Sequence, residues 1–372
     1  MLFVRLFQSC AAVFTAAALM FSVCSLAVSA QGTSLGDADT DGTLAIADAI
    51  LINRIAAEDA VTVTADGMVN ADTDKDGLIS VNDSTLLLQY LAGLISAEEF
   101  YGQINEEGYD LSGYAWQWPE VFSKDDTVTV TENSYKSHDV SITVTEHIEE
   151  NMAYFVADIY VRDLNSFRSA FAGGTYPEPR SGQTDSISNM AAENNAILAI
   201  NADYCEIRTT GVLYRNGVLY RDVDKDDVAV LTYDGILKTY SKSDFRLLTE
   251  EQCAKIWQSA SFGPSLVRSG EAVLGYSGSI AVANPRSGLG YYEPGHYCFV
   301  QCDGRQDGYS IGMTMDEFAL LFASLGCTEA YNLDGGTSSE MVFMGERVNQ
   351  PYNGGRHSSD IFYICEIPET TE

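Results

Sequence analysis

Two twelve-residue stretches, Asp37–Asp48 and Asp72–Asp83, constrain the N-terminal part of this chain more than any other feature. Each has aspartate at positions 1, 3, 5 and 12 and glycine at position 6. Carboxylates at alternate loop positions converge on one point, glycine permits the sharp turn, and the carbonyl of position 7 adds an oxygen. The spacing predicts two calcium sites. One draws on Asp37, Asp39, Asp41, Thr43 and Asp48; the other draws on Asp72, Asp74, Asp76, Leu78 and Asp83. Without a cation these carboxylates repel one another, so folding of this region should depend on calcium. An apolar helix is expected after each loop, over 49–56 and 84–94, with Leu87, Tyr90, Leu91 and Leu94 at helical spacing. The result is a small all-α calcium-binding module over residues 35–95.

Position 12 is aspartate rather than the longer, bidentate glutamate of an EF-hand, and no apolar helix enters the first loop. The paired loop–helix units resemble a dockerin domain, a calcium-folded module that binds cohesin modules on scaffold proteins of bacterial carbohydrate-degrading complexes. The resemblance implies a cohesin partner and two bound Ca²⁺ ions. It also implies that loop positions 10 and 11 face the partner: Ile46 and Ala47 in one copy, Val81 and Asn82 in the other. Because the copies differ, one binding orientation should be preferred.

The chain of 372 residues carries 53 acids against 21 bases, for a net charge of −32. That balance argues against nucleic-acid binding, which needs a basic surface. Residues 1–30 read as a secretory signal peptide: Arg5, an apolar run from Ala11 to Val28, then the small-residue site Val28-Ser29-Ala30. An uncleaved anchor is the alternative, since the run is about long enough to span a bilayer. With cleavage the protein is secreted, extracellular, associated with a scaffold or cell surface, and without a membrane segment. Cys10 and Cys24 leave with the signal. The six that remain include no C-x-x-C pair, which argues against a zinc site.

Residues 96–124 form a connection rich in aromatics, including Tyr101, Tyr109, Tyr114, Trp116 and Trp118. Such a segment should pack on a neighbour; a sugar platform at the two tryptophans is the second reading. Residues 125–367 alternate short strands with few helices, which predicts an α+β catalytic domain with a mixed sheet, followed by a tail at 368–372. Helices are expected at 186–194, 249–257 and 314–325. Buried strands are expected at 196–200 and 361–366, and Cys298 and Cys302 should be buried thiols on one face of a strand.

Glycine-containing polar turns cluster late, with twelve of the 31 glycines between residues 281 and 356. Three pieces stand out: Asn284-Pro285-Arg286, Cys302-Asp303-Gly304-Arg305-Gln306, and Asn332-Leu333-Asp334-Gly335-Gly336. Before them comes the knot Asn201-Ala202-Asp203-Tyr204, and after them Arg356-His357. Together these resemble the phosphodiester glycosidase family, over roughly residues 130–367. The most specific part is Asn332–Gly336, preceded by the Gly312–Gly326 helix region. Two departures affect loop shape rather than charge: Ala202 stands where the family has glycine, and Thr337 where a third glycine is common. The resemblance implies a hydrolase of sugar-1-phosphodiester linkages.

The residues can be weighed on their own chemistry. A glycosyl phosphodiester needs cations around phosphate and a carboxylate near the anomeric carbon. Arg286, Arg305 and Arg356 can supply the first; each could instead form an ordinary surface ion pair. Asp334 is the leading carboxylate, against the alternative of an Asp-Gly turn residue. Asp303 is a weaker candidate that could act as base or orient Arg305. Asn201 and Asp203 could bind sugar hydroxyls or a metal, and Asn332, Gly335, Gly336 and Arg356 complete the substrate-binding set. Whether a catalytic metal is used stays open. Thr337 and Ser338 form no nucleophile elbow, and His357 is a lone proton carrier or a structural residue. The expected function is a secreted, scaffold-docked hydrolase. The rivals are a non-catalytic module for anionic glycans and an exopolysaccharide-tailoring protein.

Overall fold

The computed structural model describes residues 35–41, 43–57, 59–74, 79–95, 100, 109–115, 117–118, 120–125, 127–223 and 227–367. The expected signal peptide, Asp76, Leu78, Tyr101, Trp116 and the tail lie outside the described residues.

The loop helices run Ile46–Ala56 and Val81–Leu91, three residues earlier than the apolar pattern alone suggests. Asp48 and Asp83 explain the shift. Each is the third helical residue, and its carboxylate accepts from the backbone N–H just before the helix, Ala45 at 2.9 Å and Ser80 at 2.7 Å. The twelfth loop residue is therefore also a helix cap. The second helix stops at Leu91 rather than 94, and Gly93 follows in the left-handed region. An unanticipated helix, Ala65–Ala71, lies between the loops, with the Thr64 hydroxyl accepting from Gly67 N at 2.9 Å.

Leu35, Leu44, Ile52, Leu87 and Phe100 form the core of this module. Tyr90 stacks on Phe100 with ring centroids 4.6 Å apart. The module does not close this core alone. Val218, on the strand Val218–Val223 of the large domain, is buried in it, with Tyr220 packed at its edge. The described part of the connection also packs inward. Leu111 is buried and donates its N–H to Arg162 O at 2.7 Å; Phe122 lies under the Arg162 guanidinium at 4.5 Å. Trp118 meets Tyr160 edge-on, centroids 5.0 Å apart. Full burial of such a side chain contributes roughly 1.5–3 kcal/mol.

The large domain is α+β and built mainly of antiparallel sheet. The expected mixed sheet is corrected: every strand pairing among the described residues is antiparallel. Parallel neighbours require long crossovers, whereas pairs such as Val140–Glu149 with Met152–Val161 and Arg286–Glu293 with His296–Cys302 are joined by two-residue turns. The nine-stranded sheet runs in the order 129–130, 134–136, 140–149, 152–161, 296–302, 286–293, 329–332, 265–268, 271–272. A five-stranded sheet runs 346–347, 341–343, 198–201, 360–364, 167–171. Phe167 joins them, edge-on to Tyr297 and Phe299 of the first and Phe362 of the second, at 5.4, 5.5 and 6.0 Å.

The helix Met315–Ser324 carries a Thr314/Glu317 capping box and lays Phe318 and Phe322 over Cys298, Val300 and Cys302. Gly288 and Gly290 make room: a Cβ at either would lie 2.8 Å from the Phe322 ring. The expected helix at 249–257 is shorter, Glu250–Cys253. Its capping box starts a helix, but Ile256–Ala260 is claimed by a sheet with Asp227–Thr232, and Trp257 is buried there, donating Nε1 to Phe167 O at 2.6 Å.

Candidate active site

Asn332 ends the strand Glu329–Asn332 of the nine-stranded sheet, and Met341 starts a strand of the five-stranded sheet. The intervening turn crosses between the sheets and carries Asp334. Its backbone is fixed on both sides: Leu333 N to Ser287 O at 2.8 Å, Asp334 N to Ala202 O at 3.1 Å, Gly336 N to Pro285 O at 2.9 Å. Gly335 permits this approach, since a Cβ there would sit 2.8 Å from Pro285 O.

A cavity of about 520 Å³ opens at this turn. Asn332, Asp334, Gly335, Gly336, Arg286 and Arg305 line it, together with Arg208 and Phe262. The Asp334 side chain is only 9% exposed, and its Oδ2 accepts from Arg356 Nη2 at 2.8 Å. Arg356 also donates Nε to Ser338 Oγ at 3.0 Å and lies 4.4 Å from the Tyr204 ring centroid. Burial raises the Asp334 carboxyl above its ordinary value, opposed by the Ser338 hydrogen bond and the charges of Arg356 and Arg208.

Three guanidinium groups on this cavity, those of Arg208, Arg286 and Arg305, have no carboxylate at ion-pair distance among the described residues. Arg305 gives Nε and Nη2 to the Asn284 side-chain oxygen at 3.0 and 2.8 Å. Arg208 stacks over Phe262 at 4.0 Å. Arg286 is buried and gives Nε to Met313 O at 3.0 Å and Nη2 to Ile280 O and Val282 O at 2.8 and 2.6 Å. Burial pushes it down to about 10, to which the charge of Arg305 adds. Three guanidinium groups outside ion-pair distance of any described carboxylate give this cavity positive charge in a chain of net charge −32. Arg208 and Phe262 did not stand out in the sequence. The polar knot at 201–204 was the available signal, and Arg208 follows it on the same loop.

Other expected site residues are placed elsewhere. Asp303 does not line this cavity or orient Arg305. It is fully buried and accepts from Asn349 Nδ2, Gln350 N and the Tyr309 hydroxyl at 2.7, 2.8 and 3.0 Å. Asn201 stands behind Asp334 rather than on the cavity wall. Its Nδ2 donates to Asp334 O at 2.5 Å and its Oδ1 accepts from Glu340 N and Gln301 Nε2, both at 3.2 Å. It stitches the two sheets together. Asp203 is likewise internal, pairing with Arg215 at 3.2 Å and accepting from the backbone N–H of Ser261 and Phe262. It positions the Phe262 loop. Arg215 bridges Asp203 and Asp360, the second at 2.8 Å. Burial would raise the Asp360 carboxyl, but Arg215 and hydrogen bonds from Cys205 N and Ser359 overcome it and hold it below its ordinary value. His357 is exposed.

Two groups of three carboxylates that can share a cation occur among the described residues, both in the N-terminal module: Asp37, Asp39 and Asp48, and Asp72, Asp74 and Asp83. Within each, ligand oxygens lie within 4.8 Å of one another. Burial raises the Asp48 carboxyl, opposed by hydrogen bonds from the Ala45 and Asp39 backbone, and the neighbouring charges of Asp39 and Asp37 add to the rise. Asp41 does not join the first group; its Oδ1 accepts from Thr43 N at 2.8 Å. The residues present fit calcium, an oxygen-seeking cation.

Comparison with known proteins agrees with the geometry of the large domain. Residues 194–365 match the phosphodiester glycosidase family. The chain is 29% identical over 182 residues to the SPbeta prophage-derived uncharacterized protein YomE of Bacillus subtilis (strain 168), covering 46% of this chain and 28% of that protein. The fold is shared with the catalytic domain of zebrafish N-acetylglucosamine-1-phosphodiester alpha-N-acetylglucosaminidase, solved in a form auto-inhibited by its pro-peptide. The TM-score is 0.50 and the identity 18%, covering 65% of this chain and 88% of that one. A hypothetical protein from Synechocystis resembles it at a TM-score of 0.47 and 14% identity, covering 64% of each chain. The stretch matched by the phosphodiester glycosidase family model contains every residue that lines the arginine-rich cavity.

Proposed function

We propose that this protein hydrolyses sugar-1-phosphodiester linkages, with the sugar over Asp334 and the phosphate among Arg208, Arg286 and Arg305. The observation that carries this reading is that one cavity brings the nearly buried Asp334 together with three guanidinium groups that have no carboxylate at ion-pair distance among the described residues; the other carboxylate on the wall, Asp227, pairs with Arg268 at 3.2 Å. The zebrafish protein's name, which specifies a sugar phosphodiester, supports the same chemistry.

Cleavage at the carbon–oxygen bond releases a phosphate monoester. Its second pKa is about 6, so it departs at neutral pH largely without protonation. The site must stabilise a departing dianion and supply a carboxylate as nucleophile or as base toward water. Arg305, whose Nε and Nη2 hold Asn284, can offer its Nη1 side to that phosphate, and Arg208 and Arg286 add positive potential. Arg356 holds Asp334 in place and favours its ionised form. Hydrolysis in oxygen-18 water tests this: label in the sugar supports attack at carbon, and label in the phosphate monoester removes Asp334 from the anomeric centre.

The N-terminal module would bind two calcium ions and dock on a cohesin of an extracellular scaffold. Ile46 and Val81, at the expected recognition positions, are 54% and 62% exposed. Pull-down against scaffold cohesins with calcium present tests the docking, and failure with every cohesin removes it.

A further inference from the structure

A second cavity, of about 600 Å³, takes into its wall Gln306, the residue after Arg305. Consecutive Cα atoms are 3.8 Å apart, so one residue separates a group facing the first cavity from a group facing the second. The ridge between them includes Tyr352, whose ring lies 5.6 Å from the Arg305 guanidinium; its chain neighbours Pro351 and Asn353 line the second cavity.

The electrostatics of the two differ. The first holds three arginines with no ion pair among the described residues. The second holds Arg347, already paired with Glu340 at 3.2 Å, and Glu146, with otherwise uncharged walls. A second phosphate would meet no free cation there. What the wall offers is amide donors and acceptors beside the half-buried ring of Tyr309, with Phe155 buried behind it. Hydroxyl arrays need both kinds of partner, and flat apolar faces suit the C–H side of a sugar ring. The wall is also preformed. Gln306 and Gln350 hold each other, Gln306 Nε2 to Gln350 O and Gln350 Nε2 to Gln306 Oε1, both at 2.8 Å. Beneath them buried Asp303 fixes Tyr309, Asn349 and the backbone of Gln350. A fixed wall lowers the ordering cost of binding.

We propose that this second cavity binds the alcohol side of the substrate, a neutral polyhydroxylated chain of more than one unit esterified to the phosphate held at Arg305. The proposal rests on the phosphodiester reading of the first cavity and extends it. The substrate would then run from Asp334 past Arg305 and over the Tyr352 ridge to Gln306 and Asn353. No bond is made or broken in the second cavity.

The test compares two substrates with the same sugar 1-phosphate, one esterified to methanol and one to a neutral trisaccharide. The full chain should favour the trisaccharide ester by about tenfold or more in kcat/KM, the worth of one or two hydrogen bonds. The double variant Gln306→Ala, Asn353→Gly should bring that ratio near one; glycine keeps the left-handed backbone that Asn353 adopts. Thermal melting confirms that the variant is folded. A wild-type ratio near one, or a ratio the variant leaves untouched, overturns the proposal. If neither ester is hydrolysed, the reading of the first cavity fails separately. Calorimetry with the free trisaccharide then decides the second: binding lost in the variant upholds a glycan site, and absence of binding overturns it.

Discussion

Arg356 Nη2 lies 2.8 Å from Asp334 Oδ2, and the pair is unequally buried, 42% exposed on the arginine side and 9% on the carboxylate side. The carboxylate is thus shielded from water while its counter-ion is not. Burial raises the Asp334 pKa, and the Ser338 bond and Arg356 oppose that rise. As nucleophile or base Asp334 must be ionised, so activity is lost as pH falls through its folded pKa, above the ordinary 3.8. Arg356→Gln should move this acid limb to higher pH. A pH–rate profile of both proteins checks it, and a limb that shifts downward contradicts the assignment.

Arg305→Gln should weaken the handling of the phosphate. Loss of a charge-assisted bond costs roughly 1.5–3 kcal/mol, or about 10- to 150-fold in kcat/KM. The same change at the exposed Arg180, remote in sequence from the cavity lining, should have no such effect. Steady-state kinetics on a sugar 1-(methyl phosphate) separate the two.

Arg215→Met leaves two buried carboxylates, Asp203 and Asp360, without their shared cation. Removing one partner of a buried ion pair costs about 3–5 kcal/mol, which urea titration measures. Because the folded Asp360 pKa lies below its ordinary value, its contribution in the wild type is present above the unfolded pKa. It is lost as pH falls through the folded one. The stability gap between wild type and variant should therefore narrow in acid.

Calcium removal should loosen the N-terminal module first. The oxygens of Asp37, Asp39 and Asp48, and of Asp72, Asp74 and Asp83, converge to within 4.8 Å of one another. Calorimetry with excess chelator should show a transition that moves up when calcium is restored. A trace indifferent to chelator removes calcium from the account.

Gly290→Ala should destabilise the large domain by about 1–3 kcal/mol, the usual cost of overpacking. The added Cβ would lie 2.6 Å from the Cys298 sulfur, 2.7 Å from that of Cys327 and 2.8 Å from Phe322. Thermal melting checks it, and an unchanged midpoint would mean the helix Met315–Ser324 yields more easily than its burial suggests.

Local patterns were legible where chemistry is local. The aspartate spacing located both acidic clusters, and the capping box with Phe318 and Phe322 located the helix Met315–Ser324. Asp334, Arg286 and Arg305 could be placed on one site because short motifs carry them. Asp303, Asn201 and Asp203 looked equivalent to them in sequence. Their side chains are consumed by long-range partners such as Asn349, Glu340 and Arg215, which no local pattern announces. Arg208 was missed for the converse reason: its place on the cavity wall, without an ion pair among the described residues, is visible only once the surface around it is folded. Trp257 shows the limit at the backbone level, where a sound helix start was cut short by a strand pairing 24 or more residues away.

Val218 completes the core of the acidic module, and three residues along the same strand Arg221 holds the carbonyls of Cys205, Arg208 and Gly211. A fragment cut to begin at residue 125 would inherit a bare, greasy step at Val218 and Tyr220, on the strand that props the Arg208 loop. Exposed apolar patches of that kind invite self-association. A fragment that keeps the acidic module would keep Val218 and Tyr220 covered, and with them the strand behind the Arg208 loop.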